Sequence, residues 1–438
     1  MLTGAVVMNA VKVDIKEWGE IKPEKGTPLF HRYLEDENSR QTIKVLNDKG
    51  IVNILEMKDG LQITTNSYVG KIKIGDIQLN IHPKIEGMPL YRLLKYAYGL
   101  RDLKIFNEAV HDIDSYPFYD LLIYQLYAEV EDLVYRGLNR RYKRENEDLE
   151  SPRGRIDIKK IASRNVAGAT LPCTYFERSE DNEINRVLLA GLYLTLNLTD
   201  DRNLKIQLRR LCNNMEESVN RIGLNREVLL KALKSVDRLS DRYRSALELI
   251  NILFESQGIQ LEDGITYMKL NGFFFDMNMF FQSLLSKLIK DYLEGFTVRD
   301  EYTLHELFSY TPGFNPLRNA APKPRPDFAV MMGNTVECLL DAKYRDLWET
   351  KLPSSWLYQL SIYAVSGIGN YTARILYPTM SETAKLQKID VKNPATGNKY
   401  AEVMIQPVSL KKIVKLIDLP SKDKPMAIEY IKSIVFGV

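Results

Sequence analysis

Cysteine and histidine are scarce in this chain of 438 residues, and that scarcity narrows the chemistry open to it. The three cysteines, Cys173, Cys212 and Cys338, lie far apart, which fits neither a disulfide framework nor a zinc site. The four histidines, His31, His82, His111 and His305, are equally dispersed. Any metal chemistry must therefore rest on carboxylates, which favours a hard ion such as Mg2+. No apolar run approaches membrane-spanning length, and the mildly apolar residues 1–10 carry no basic leader region. The expectation is a cytoplasmic protein with no membrane contact. Internal repeats and low-complexity tracts are also missing. With a net charge of only +3, contact with nucleic acid would have to come from local patches.

What is present describes a globular protein of more than one part. Hydrophobic residues make up 45% and charged residues 27%, the balance of a chain that buries a core in water. Its length exceeds one ordinary core, so two or three domains are expected. The pattern predicts a multidomain α+β protein: a β-rich N-terminal domain over residues 1–110, a helical middle over 111–258, and a C-terminal α/β domain over 259–438. The N-terminal strands are clearest where Ile72 and Ile74, then Gly75-Asp76, then Ile77, Leu79 and Ile81 alternate around a turn pair, with Pro83 closing the second strand. Helical spacing begins near Leu90 and runs through residues 115–138, 181–199 and 226–257. A further helix carries Phe280, Phe281, Leu284, Leu285 and Leu288, with Gly295 placed to end it.

Two stretches of the middle are basic. Residues 140–164 hold nine Lys/Arg against five Asp/Glu, and residues 202–244 hold eleven against five. Each reads either as a solvated helix face or as a surface for phosphates. Within the first, Arg153-Gly154-Arg155 is either a phosphate or partner contact, or a glycine turn that relieves strain while its arginines pair with nearby acids such as Glu147 and Asp148. Glu183, Asn185 and Arg186 suit a capped helix start with surface ion pairs.

The chemistry concentrates in Arg325-Pro326-Asp327 and, fourteen positions after Asp327, Asp341-Ala342-Lys343. Residues 311–326 form a Pro/Gly-rich loop leading into the first of these. On a strand, Asp341 and Lys343 share a face about 7 Å apart. Glu337 shares it too, but at about 13 Å it is a bystander. A two-residue turn at Gly333-Asn334 would set Asp327 opposite Leu340, on the wrong face. A three-residue turn, or a bulge, would set it opposite Asp341, where both carboxylates can share an ion. Asp327, Asp341 and the Ala342 carbonyl are then candidate ligands of Mg2+, with Lys343 to orient water or offset charge on a phosphorane. Asp and Lys two apart on a strand are also common as a plain surface pair. Pro353-Ser354-Ser355 begins a helix on which Gln359 and Tyr363 share a face beside the site.

Pro326-Asp327, Asp341-Ala342-Lys343 and Gln359-x-x-x-Tyr363, in this order, resemble the PD-(D/E)xK nuclease superfamily in its RecB-like variety. The residues Tyr68-Val69-Gly70-Lys71-Ile72, Ile81-His82-Pro83-Lys84-Ile85, Ser151-Pro152-Arg153-Gly154-Arg155-Ile156 and Glu183-Ile184-Asn185-Arg186 resemble segments of the McrC family. The resemblance spans residues 68–363. It implies a PD-(D/E)xK domain with a mixed sheet flanked by helices, cleaving double-stranded DNA with Mg2+, or Mn2+ as a substitute. It also implies an N-terminal region that contacts a hexameric McrB-like AAA+ GTPase and stimulates it; the Ile72 to Ile81 hairpin reads most simply as ordinary core strand, and a ring contact for it is an analogy from the family. GTP would be bound by that partner, in keeping with the lack here of a Gly-x-x-x-x-Gly-Lys-Ser/Thr loop. Carried over, Asp327, Asp341 and Lys343 are catalytic and Gln359 and Tyr363 support them. One position departs. The family commonly has Phe-Glu where this chain has Phe281-Gln282, and a neutral amide cannot supply a carboxylate's charge, though it can hydrogen-bond a water. The alternatives are a stand-alone DNA nuclease and a non-catalytic activator or scaffold of the GTPase.

Overall fold

The computed structural model describes residues 11–34, 36–85, 87–100, 118–163, 169–256, 272–418 and 424–437. His111, residues 1–10 and the change of character after Gly258 lie outside the described residues. Two compact units make up the chain: one is Met1–Asp102 together with Phe274–Val438, the other Leu103–Phe273.

The N-terminal segment contains β1 (Val11–Lys16), β2 (Glu20–Ile21), α1 (Glu37–Asp48), β3 (Val52–Met57), β4 (Gly60–Thr65), β5 (Tyr68–Ile74), β6 (Ile77–His82) and α2 (Gly87–Tyr98). Strands β5 and β6 form the expected hairpin, with Ile74 paired to Ile77. Gly75 makes the turn at φ +56°, a left-handed backbone that glycine adopts without strain. Alternation buries Ile72, Ile74, Ile77, Leu79 and Ile81 on the core side. Strand β1 joins β6 in parallel, and β2, β4 and β3 make a separate antiparallel sheet.

The second unit is not wholly helical. It has α3 (Phe118–Tyr135), β7 (Arg141–Leu149), β8 (Arg155–Ile156), α4 (Ile158–Ala162), β9 (Leu171–Ser179), α5 (Glu183–Leu198), α6 (Arg202–Glu216), α7 (Arg226–Lys234) and α8 (Arg244–Glu255). In the first basic stretch Lys159 and Lys160 lie on the short helix α4, while Arg141, Lys143, Arg144 and Arg155 lie on a three-stranded sheet of order β7-β9-β8. Their strand character is hidden because β7, Arg-Tyr-Lys-Arg-Glu-Asn-Glu-Asp-Leu, buries neither side and so has no apolar alternation. The periodic stretch 226–257 is two helices. Between them Asp237 Oδ1 accepts from the backbone N–H groups of Leu239 and Ser240, a local turn that competes with helix. Arg153 pairs with Glu177 at 3.5 Å and lies 4.4 Å from the Tyr175 ring centroid. Glu177 is thus the nearby acid that meets Arg153, while Glu147 accepts from Tyr175 and Asp148 pairs with Lys160. Asn182 caps α5, Asn185 is buried against the Asn139 and Glu180 carbonyls, Arg186 pairs with Asp181, and Glu183 pairs with Lys231.

The C-terminal segment contributes β10 (Gly272–Asp276), α9 (Met277–Tyr292), β11 (Thr297–Asp300), β12 (Phe328–Met332), β13 (Thr335–Ala342), α10 (Ser354–Val365), β14 (Thr372–Thr379), β15 (Gln387–Lys392), β16 (Lys399–Ser409), α11 (Leu410–Ile417) and α12 (Lys424–Phe436). Strand β10 completes the first sheet in the order β1-β6-β5-β10. Asp276 caps α9 by accepting from the Asn278 N–H. The larger sheet is mixed, in the order β11-β12-β13-β14-β16-β15, with β13, β14 and β16 parallel to one another. Ala329, Leu339, Leu360, Tyr363, Ala364, Ala373, Ile375 and Tyr377 pack together under α10. Each large apolar side chain buried there stabilises the fold by about 1.5–3 kcal/mol. This core fixes the strand ends on which the candidate site sits.

Candidate active site

Register decides whether the two acids meet. The β12–β13 turn is short: Met332 pairs with Thr335 across Gly333-Asn334, and Gly333 has φ +61°. A bulge then intervenes, since Met331 faces Val336 while Val330 faces Cys338. Glu337 is the extra residue. From there Ala329 pairs with Leu339 and Phe328 with Leu340, so the next position brings Asp327 level with Asp341. The short turn alone would have set the acids on opposite faces; the bulge restores the phase. Glu337 has no part in the cluster that results.

The contacts are close. Asp327 Oδ2 accepts from the Ala342 N–H at 2.7 Å, and its Oδ1 from Gln282 Nε2 at 3.2 Å. Lys343 Nζ lies 2.8 Å from Asp341 Oδ2. The contact is poorly angled for a hydrogen bond, and among the described residues that buried oxygen has no other donor. Asp341 is 1% exposed. Burial pushes the Asp327 carboxyl up to about 6, the charge of Asp341 adds to the rise, and the Ala342 N–H and Lys343 oppose it. Burial likewise raises Asp341, against the pull of Lys343. Two acids that resist ionising side by side are stabilised by a cation between them.

Helix α10 closes one side. Gln359 Nε2 donates to the Tyr363 hydroxyl at 2.6 Å. Burial, then the nearby Asp341, push that phenol up to about 12, and it has a backbone hydrogen bond with Arg325. One neighbour is not among the residues expected from sequence. The Lys343 ammonium lies 5.8 Å from the Trp356 ring centroid, within cation–π range. A signal for it exists: Trp356, Gln359 and Tyr363 follow at spacings of three and four, one helix face. Asp327, Asp341, Ala342, Lys343, Gln282, Gln359 and Tyr363 thus lie in one neighbourhood.

Among the described residues no group of three or more His, Cys, Asp or Glu side chains is arranged to hold an ion. The donor set is two carboxylates with backbone and amide neighbours. That set suits Mg2+, which keeps several waters and takes one or two carboxylates alongside substrate phosphates. Asp341 Oδ2, buried and short of a well-directed donor, fits the same role. No described helix is long and apolar enough to cross a membrane.

The chain is similar to a chain of the refined half-complex from a tetradecameric assembly of Thermococcus gammatolerans McrB AAA+ hexamers with bound McrC. The TM-score is 0.62 at 20% identity, covering 97% of this chain and 100% of that one. This shows a shared fold. A chain of the Thermococcus gammatolerans McrBC complex determined by cryo-EM matches at TM-score 0.47 and 20% identity, over 66% of this chain and 89% of that one. No curated protein matches. The family model described as "McrBC 5-methylcytosine restriction system component" matches residues 63–378, well over half of the sequence. On that match, the chain belongs to the McrBC 5-methylcytosine restriction system component family.

Proposed function

We propose that this chain is the DNA endonuclease subunit of a McrBC-type restriction complex, dependent on Mg2+ and working with a hexameric McrB-like AAA+ GTPase that it stimulates. The observation that carries the nuclease reading is the meeting of Asp327 and Asp341 across β12 and β13, with Lys343 2.8 Å from Asp341. Family membership supports the restriction complex, and the McrB AAA+ hexamers of the structurally similar assembly support the choice of partner.

Asp327 and Asp341 would hold the ion, with the Ala342 carbonyl as a third protein ligand. Bound there, Mg2+ would polarise the scissile phosphate and lower the pKa of a water, and Mn2+ would substitute for it. Lys343 would meet the charge that develops on the phosphorane, where a fixed ammonium is worth more than in bulk water. Trp356 confines that ammonium, and the Gln359–Tyr363 pair holds the wall on the same side. Gln282 keeps Asp327 oriented by donating to it, so its neutral amide acts on a ligand without being one. The duplex would supply the remaining oxygens through its phosphates.

The test separates cleavage from GTPase stimulation. Wild type and Asp341→Ala are compared with the partner, Mg2+ and GTP, reading DNA cuts and phosphate release. Cleavage should fall on the order of 10³-fold while stimulated hydrolysis persists. Equal cutting by both proteins would remove these carboxylates from the chemistry. Cutting without the partner would favour a stand-alone nuclease.

A further inference from the structure

The loop that enters the site is built unlike a spacer. It leaves the sheet after β11 and returns at Asp327, and its base is pinned twice: the Glu301 N–H donates to the Asp327 carbonyl at 2.7 Å, and the Leu304 N–H to the Pro324 carbonyl at 2.9 Å. Its tip is two consecutive turns. In Thr311-Pro312-Gly313-Phe314 the Phe314 N–H reaches the Thr311 carbonyl at 3.0 Å, with Gly313 at φ +84°. In Asn315-Pro316-Leu317-Arg318 the Arg318 N–H reaches the Asn315 carbonyl at 3.2 Å, and the Asn315 side chain clasps Asn319 on both sides. Pro312 and Pro316 stiffen these turns further.

This rigid tip holds apolar side chains out in water. Phe314 is 78% exposed and Leu317 is 77% exposed. From Leu307 to Pro326 there is no Asp or Glu, while Arg318, Lys323 and Arg325 are present. Arg325 pairs with Glu301 at 3.1 Å, and Arg318 and Lys323 have no acidic partner among the described residues. An apolar wedge on a cationic stem suits a polyanion with an apolar interior, and the stem ends at a candidate catalytic carboxylate.

We propose that residues 311–323 form a wedge for double-stranded DNA. Phe314 and Leu317 enter the minor groove and partly unstack a base step, and Arg318 and Lys323 neutralise the flanking phosphates. The inference rests on the nuclease reading for its substrate, and its job is to kink the duplex toward its major groove, which opens the minor groove that faces Asp327 and Asp341. A side chain that parts base pairs bends DNA by about 20–90°.

The test uses the full chain carrying Asp341→Ala, so that the probe stays uncut, and a duplex of roughly 30 base pairs with a fluorophore pair at its ends. Energy transfer reads the bend and anisotropy reads affinity. The parent should bend the duplex. Adding Phe314→Ala and Leu317→Ala should abolish the bend and weaken binding about tenfold, with Phe314→Trp restoring it. Arg318→Ala with Lys323→Ala should lower the slope of log affinity against log salt by about two. Both side chains of the tip are exposed, so thermal melting should match the parent. A parent that leaves the duplex straight overturns the proposal, as does a tip variant that bends it normally. So does a tip variant that shifts from dimer to monomer in sedimentation with bending intact, for the surface would then join two copies. Cleavage by Asp341→Ala would instead sink the carboxylate reading and leave the bending result standing.

Discussion

Glu17 lies just beyond β1 and is 1% exposed, with Oε1 accepting from the Lys84 N–H at 2.7 Å and from the Tyr344 hydroxyl at 2.9 Å. Its Oε2 has no donor among the described residues. Burial pushes the carboxyl from its ordinary 4.5 to about 7, against the two hydrogen bonds and Lys84. Because the folded value is the higher one, Glu17 is tolerated best below pH 4.5, and stability is lost as pH rises through about 7. Between pH 5 and 8 the wild type should lose roughly 3 kcal/mol more than Glu17→Gln, measured by denaturant melts at each pH. A flat difference between the two proteins would refute this. Nothing in the sequence marks Glu17, whose hydrogen-bonded Tyr344 comes 327 positions later. Asp341 and Lys343 were legible because their relation is local, two places apart in sequence, with Lys343 just past the end of β13. Trp356 was missed although its spacing to Gln359 was readable, since an aromatic on a helix face is usually core.

At the scale of elements, Gly154 is a demanding position. It has φ +73°, and a Cβ there would meet the Thr174 carbonyl oxygen at 2.4 Å. Both faults concern backbone, which cannot swing aside, so Gly154→Ala should cost more than about 2 kcal/mol. The loss should appear as a lower melting temperature and faster amide exchange in β8 and β9. Elements with strong periodicity or turn chemistry were readable: the β5–β6 hairpin, α5 with its cap, and the start of α10 at Ser354. Strand β7 was not, since both its faces are wet. The β12–β13 pair falls between. Requiring both acids on one face predicts a longer turn or a bulge without choosing, and the choice rests on the backbone of Gly333 and the local fit of Glu337.

At the scale of the whole molecule, part of the positive charge is matched by acids among the described residues. The basic stretches hold the pairs Arg140–Glu180, Lys143–Glu145, Lys160–Asp148, Arg221–Glu216, Arg226–Glu255 and Arg244–Asp241, and Lys231 pairs with Glu183. Exposed pairs of this kind contribute little stability, about 0–1 kcal/mol each, but they do lower the positive field those stretches present. Arg226→Ala with Lys231→Ala should therefore leave duplex affinity within about twofold at moderate salt, read by anisotropy titration. A tenfold loss would make residues 202–244 a phosphate surface after all. The discontinuous unit, Met1–Asp102 with Phe274–Val438, was beyond a linear reading, because β10 is too short and uniformly apolar to declare its neighbour. Its consequence is a matter of timing during synthesis. After β5 leaves the ribosome, some two hundred further codons are read before β10 emerges to lie beside it, a delay of about 10–40 s at ordinary elongation rates. Throughout that interval the nascent chain carries an open strand border, the kind of surface that invites chaperones or a neighbouring polysome product.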